Sequence, residues 1–207
     1  EEVDGGLSST DYYRTWSGHE VEHLKAVHEV LRTGHGSLVF LAGDSSLDNK
    51  AWFEDTADAL NGYEEVLMPP VMKTDVCYWL NHEAFQRRLG HLACLNTAVE
   101  ATTLADRAGR LLPSDSFIHD HITTEDYLVV SVGGNDIALR PSLCTILNML
   151  LLVRTSSAGC LRRCSCGCMP LSCCCGGSVT SSGCLGCLRS LLGCAWPPGL
   201  SYFVDLF

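Results

Sequence analysis

The chain has 207 residues, 46% of them hydrophobic, and a net charge of −10. That length suits one domain, or one domain with an appendage, and the apolar share is enough for a sizeable core. The acidic balance argues against nucleic acid and anionic membrane as partners, because both are polyanions.

No basic segment followed by an apolar one opens the sequence, so no secretory leader is expected and an intracellular setting is favoured. The longest apolar run, around 146–153, is interrupted by Asn148. It falls short of the roughly 20 residues that span a bilayer, so a buried helix and no membrane span are expected. Of the 13 cysteines, Cys77, Cys94 and Cys144 read as ordinary buried thiols, whereas the rest crowd between Cys160 and Cys194.

In chain order, residues 1–15 are polar and expected to be loose. Val21, Leu24, Val27, His28 and Leu31 recur at three and four residues, which predicts a helix over 19–32 that stops at Gly34-His35-Gly36. Residues 37–42 form a short, nearly all-apolar run, the pattern of a strand covered on both faces. Trp52, Phe53, Ala57 and Leu60 suggest a helix over 48–60, and another is expected over 75–89. A second short strand is predicted at 92–95, followed by a helix through Ala105. Residues 127–132 (Tyr-Leu-Val-Val-Ser-Val) are the clearest strand, and 141–154 an apolar helix.

Buried strands alternating with helices point to an α/β fold with a mainly parallel sheet. In such sheets ligands bind just beyond the C-terminal ends of the strands. Here those ends read Gly43-Asp44-Ser45, Asn96-Thr97-Ala98 and Gly133-Gly134-Asn135, all polar or small. A serine where a strand turns into a helix lies near free backbone N–H groups, which favour a nucleophile whose reaction passes through an oxyanion. Further donors are available from the 98–101 loop and from the Asn135 side chain.

These residues resemble a family. Gly43-Asp44-Ser45-Ser46-Leu47-Asp48-Asn49 is similar to the first motif of the SGNH, or GDSL, hydrolases, and Gly133-Gly134-Asn135-Asp136 to their third, GxND. The resemblance covers about residues 37–154. It implies a flavodoxin-like three-layer parallel sheet and hydrolysis of esters of lipids, sugars or small acyl groups, without a cofactor or a metal. It makes Ser45 the nucleophile and one N–H donor, and Asn135 the side-chain donor to the oxyanion. Ala101 stands where the family's second motif has a glycine, and would supply a backbone donor. Asp44 and Gly134 fall to substrate binding. The family's last motif, D-x-x-H, supplies the base and the carboxylate that orients it. It is absent from this sequence, and all eight histidines lie at or before His121. The expectation is therefore a fold incomplete at its C-terminus and an esterase-like domain that is weak or inactive.

Other patterns compete. His19-Glu20-Val21-Glu22-His23 satisfies H-E-x-x-H, which on a helix puts two imidazoles on one face for zinc. The bland reading, a charged helix face, is preferred because no third ligand follows. His119-Asp120-His121 reads as a surface loop on the far side of the sheet from the strand ends. The cysteine-rich stretch has one clean C-x-x-C pair, Cys184 to Cys187, amid glycine and serine, and reads as a flexible insertion or a reading-frame artefact rather than a zinc site. The domain reading is an N-terminal segment 1–36, an α/β core 37–154, an insertion 155–195 and the start of a helix at 196–207. The rival functions are a non-catalytic α/β binding module and a metal-binding protein built on the cysteine cluster. The partner expected of an active form is a small-molecule ester.

Overall fold

A computed structural model of the chain describes residues 6–141 and 143–155. β1 (Leu7–Ser8) leads into α1 (Ser9–Tyr12), whose first turn is capped by the Ser8 hydroxyl accepting from Asp11 N–H at 3.3 Å. α2 (Val21–Gly34) follows, with Leu24, Val27 and Leu31 on one face and completely buried. Next come β2 (Ser37–Gly43), a 3₁₀ turn at Lys50–Trp52, β3 (Thr56–Asp58), a second 3₁₀ turn at Tyr63–Glu65, β4 (Leu67–Met68) and β5 (Val71–Lys73). α3 (Val76–Gln86) is capped by the Asp75 carboxylate on Tyr78 N–H and leads to β6 (Leu92–Asn96). α4 (Leu104–Arg107), α5 (Pro113–His121) and β7 (Tyr127–Ser131) complete the sheet region, followed by α6 (Gly134–Ala138) and α7 (Leu143–Thr155).

The protein is α/β. Its main sheet has the order β6-β2-β7, with both pairings parallel. Register sets Val39 opposite Cys94 and Tyr127, and Gly43 opposite Ser131. Two small two-stranded sheets, parallel β1-β4 and antiparallel β3-β5, lie outside it. β2 is central and supplies Leu38, Phe40 and Leu41 to a core shared with α2, β6 and Tyr12. By contact the chain divides into two compact units, Glu1–Asn135 and Asp136–Phe207. No helix among the described residues is long and apolar enough to cross a membrane.

The three strands form where the apolar runs place them, but several surrounding expectations are corrected. Residues 6–15 are not loose: β1 pairs with β4, and Tyr12 is buried against Tyr63 and His19. Residues 48–60 do not form a helix. Asp48 is drawn into the interior by distant partners and Lys50 follows it as its ion-pair partner, Trp52 and Phe53 stay exposed, and Thr56–Asp58 pairs with Val71–Lys73. The segment after β6 does not turn helical at once either. It runs on beside β2, with Thr97 N–H on Leu41 O and Val99 N–H on Gly43 O, and only Leu104–Arg107 is helical. His119 and His121 end α5 rather than sitting in a loop. β7 is not buried: Tyr127, Leu128, Val129 and Val130 are all exposed.

Candidate functional site

β2 ends at Gly43 because only a glycine fits there. A Cβ at this position would stand 2.2 Å from the Ser131 carbonyl oxygen of the neighbouring strand. The chain then makes one tight turn instead of starting a helix: Leu47 N–H and Asp48 N–H both donate to Asp44 O, and Ser46 N–H donates to the Asp44 carboxylate at 3.0 Å. Ser45 occupies this turn, half-buried. Among the described residues nothing hydrogen-bonds its Oγ or its N–H.

The other two strand ends close on this turn. Val99 N–H and the Arg107 Nη2 both donate to Gly43 O, the latter at 3.1 Å, which ties the 97–103 loop to the end of β2. Ala101 lies in that loop with φ = +63°, the left-handed region that favours glycine, and its N–H has no acceptor among the described residues. Thr102 accepts from Asn135 Nδ2 at 2.9 Å through its carbonyl. That bond brings the buried Asn135 beside Ala101. Gly134 lies against Asp44, a Cβ there standing 3.7 Å from the Asp44 Oδ2. Ser46 Oγ and Ser131 Oγ share a hydrogen bond at 2.6 Å, a second link between the β2 and β7 ends. The loops carrying Ser45, Ala101 and Asn135 thus meet at the C-terminal edge of one parallel sheet.

Beneath the site lies a buried charge cluster that pattern reading missed. Asp48 and Lys50 are 0% and 1% exposed, and Lys50 Nζ donates to Asp48 Oδ1 at 2.5 Å. Asp48 Oδ2 accepts from Gly18 N–H at 2.6 Å and Glu100 N–H at 2.8 Å. Burial pushes the nearby Asp75 carboxyl up to about 6, against the opposing pull of Tyr78 N–H and of Lys50. Burial, reinforced by the Lys50 charge, lowers His19 to about 3, so its ring is neutral. The only signal for the cluster was Asp48 itself, inside the Gly43–Asn49 motif.

A base for Ser45 is not found among the described residues, since no imidazole or carboxylate bonds its Oγ. His19 is stacked on Tyr12, with Nδ1 against Tyr12 O. It precedes α2, so His19 and His23 do not share a helix face as the zinc reading required. His121 is held by Phe117 O and faces His28, while His119 pairs with Asp120 in the open. No three His, Cys, Asp or Glu side chains among the described residues are grouped to hold a metal ion. Cys77 and Cys94 are buried free thiols, as read, and the Cys160–Cys194 cluster lies outside the described residues.

No protein-family model matches the chain, and no curated protein or solved structure shows significant similarity to it.

Proposed function

We propose that this protein carries the nucleophile and oxyanion site of an SGNH-type serine ester hydrolase, on a flavodoxin-like arrangement of strands. The observation that supports the reading is the meeting at one sheet edge of the loops that carry Ser45, Ala101 and Asn135, with left-handed backbone at the alanine that stands in the family's glycine position. The strand order supports it too. Numbered within the sheet alone, β6-β2-β7 is 2-1-3, the start of the flavodoxin-like order.

In this reading Ser45 Oγ attacks the carbonyl carbon of a small ester. The carbonyl oxygen becomes an oxyanion held by Ser45 N–H, Ala101 N–H and the second N–H of Asn135 Nδ2. The Ser45 proton passes to solvent water, collapse of the tetrahedral adduct expels the alkoxide, which takes a proton from water, and water then hydrolyses the acyl-serine to the carboxylic acid and free Ser45. A serine hydroxyl is a weak nucleophile unless a base takes its proton, and no described residue does so here. Turnover is therefore slow, although an oxyanion hole alone leaves roughly 10³–10⁴-fold over water. The lack of a base among the described residues favours a second reading, a binding module that holds esters or carboxylates without turnover.

Hydrolysis of p-nitrophenyl acetate by the full chain, beside Ser45→Ala and Asn135→Ala, separates the two. A slow rate abolished by Ser45→Ala and reduced by Asn135→Ala supports the esterase. A rate indifferent to Ser45 removes it.

A further inference from the structure

We propose that Asp48 and Ser17 are positioning residues, which together fix the Glu100–Ala101 peptide plane and so aim the Ala101 N–H. Its relevance to catalysis rests on the esterase reading, whereas the clamp itself does not.

A trans peptide points its C=O and the next N–H in opposite directions, so holding the Glu100 carbonyl determines where the Ala101 N–H points. Ser17 Oγ donates to Glu100 O at 2.8 Å. The other end of Glu100 is held as well, because its N–H donates to Asp48 Oδ2 at 2.8 Å. The same oxygen accepts from Gly18 N–H at 2.6 Å, which keeps Ser17, one residue earlier, in reach of Glu100. Residue 100 is thus gripped at both its donor and its acceptor, and the only direction left for the Ala101 N–H is away from Ser17.

Asp48 is suited to this task by where its backbone lies. Its own N–H closes the Ser45 turn onto Asp44 O. One residue therefore ends the nucleophile turn with its main chain and holds the donor loop with its side chain. A carboxylate is required because Oδ2 takes two N–H groups while Oδ1 faces the Lys50 ammonium at 2.5 Å. An asparagine would set its NH₂ either against that ammonium or against the two backbone donors. Lys50, 1% exposed, supplies the charge that lets the carboxylate stay fully buried.

The test uses the ¹⁵N-labelled full chain and three variants. Asp48→Asn leaves Lys50 buried without its partner and can fail to fold, so Asp48→Asn/Lys50→Met removes both charges. Ser17→Ala leaves the buried pair intact. In each folded Asp48 variant, the Gly18 and Glu100 amides are expected to lose hydrogen-exchange protection by about tenfold or more, while those of Phe40 and Leu41 in β2 keep theirs. The Ala101 amide resonance is expected to move in every variant, including Ser17→Ala. Ser45-dependent hydrolysis of p-nitrophenyl acetate is expected to fall about 10²-fold in kcat with KM little changed, the usual consequence of misplacing one donor. Glu100 and Ala101 amides that are unaltered in a folded Asp48 variant, or an Ala101 amide that is unaltered in Ser17→Ala, overturn the proposal. If the parent chain shows no Ser45-dependent rate, the esterase reading fails by itself and the amides still decide the role of Asp48 and Ser17.

Discussion

Ala101 stands at φ = +63°, where a side chain meets its own backbone. For an L-residue that conformation costs about 1–2 kcal/mol, and glycine escapes the penalty. Glycine also gains freedom in the unfolded chain, which takes back about 0.4–1 kcal/mol. Ala101→Gly should therefore be net stabilising, by about 0.5–1 kcal/mol, against the usual rule for alanine-to-glycine changes. At an m-value of about 2 kcal/mol/M this raises the urea midpoint by about 0.3–0.5 M, and the thermal midpoint by about 1–4 °C for a chain of this size. Ala42→Gly is the control. Ala42 lies inside β2, so its replacement should lower stability by about 1 kcal/mol. If Ala101→Gly destabilises as much as Ala42→Gly, then Ala101 does not hold a left-handed backbone, and the argument for its N–H as an aimed donor goes with it. The opposite change sharpens the test. Ala101→Val puts a β-branched residue where such residues are outliers, and should lose stability where glycine gains it.

Three other outcomes follow from the same structure. Gly43→Ala forces a Cβ to within 2.2 Å of the Ser131 carbonyl oxygen, so β2 and β7 must separate at the site. A loss of about 3 kcal/mol or more in urea unfolding is expected, and an unchanged midpoint would contradict the Gly43–Ser131 register. Burial opposes ionisation of Asp126, but Arg32 at 2.7–2.8 Å, with Leu38 N–H and the N–H and hydroxyl of Thr123, holds its carboxyl well below the usual range. A depressed value stabilises above the unfolded pKa near 4 and is lost as pH falls. Asp126→Asn should thus cost about 2–3 kcal/mol at pH 7 and flatten stability on the acid side, read from urea midpoints between pH 2 and 7. Asp75 has the reverse sign. Raised by burial to about 6, it supports the fold fully below about pH 4, and that support fades as pH climbs through 6. Asp75→Asn keeps an acceptor for the α3 cap, and should remove a fall of up to about 3 kcal/mol over that interval. A pH profile indifferent to the substitution would show that Asp75 titrates normally.

What the sequence disclosed depended on the range of the forces involved. β2, β6 and β7 were legible because each is a short apolar run ended by glycine or a polar residue, a signal contained within a few neighbours. α2 was legible from Leu24, Val27 and Leu31 at helical spacing. The 48–60 segment was misread because its partners are remote: the Asp48 carboxylate binds Gly18 and Glu100, 30 and 52 residues away. Lys50 was missed as a consequence, since its partner Asp48 is only two residues away but reads as exposed until its own remote partners are known. Local patterning also could not show that Tyr127, Leu128, Val129 and Val130 stay exposed, because an apolar strand announces a need for cover and not its supply. The position of Ala101 became notable only through the resemblance, which put a glycine there. Periodicity carries no information on the sign of φ.

Several residues that violate ordinary folding rules gather around the Ser45 turn. A lysine and an aspartate with almost no exposure, an alanine in left-handed backbone and a glycine with no room for a methyl group all belong to Gly43–Lys50 or to the loop around Glu100. Each is unfavourable alone. Burying an ion pair rarely repays its desolvation in full, and left-handed alanine costs about 1 kcal/mol or more. Elsewhere in the unit Glu1–Asn135, Asn61 and Arg88 also have positive φ, but Asn61 donates to Leu92 O at the opposite, N-terminal end of β6, and Arg88 follows the end of α3. Sequences tend to be locally consistent except where a site demands otherwise, and strained backbone persists only where surrounding contacts over-determine it. Here the over-determining contacts are those from Asp48, Ser17, Arg107 and Asn135, and all of them grip the segment from Val99 to Thr102 or its anchor at Gly43. Stability alone would have been served by an apolar pair in place of Asp48 and Lys50 and by a glycine at 101. The cluster instead holds one loop against the Ser45 turn, and under the proposed esterase reading that is what presenting fixed donors to a developing charge requires.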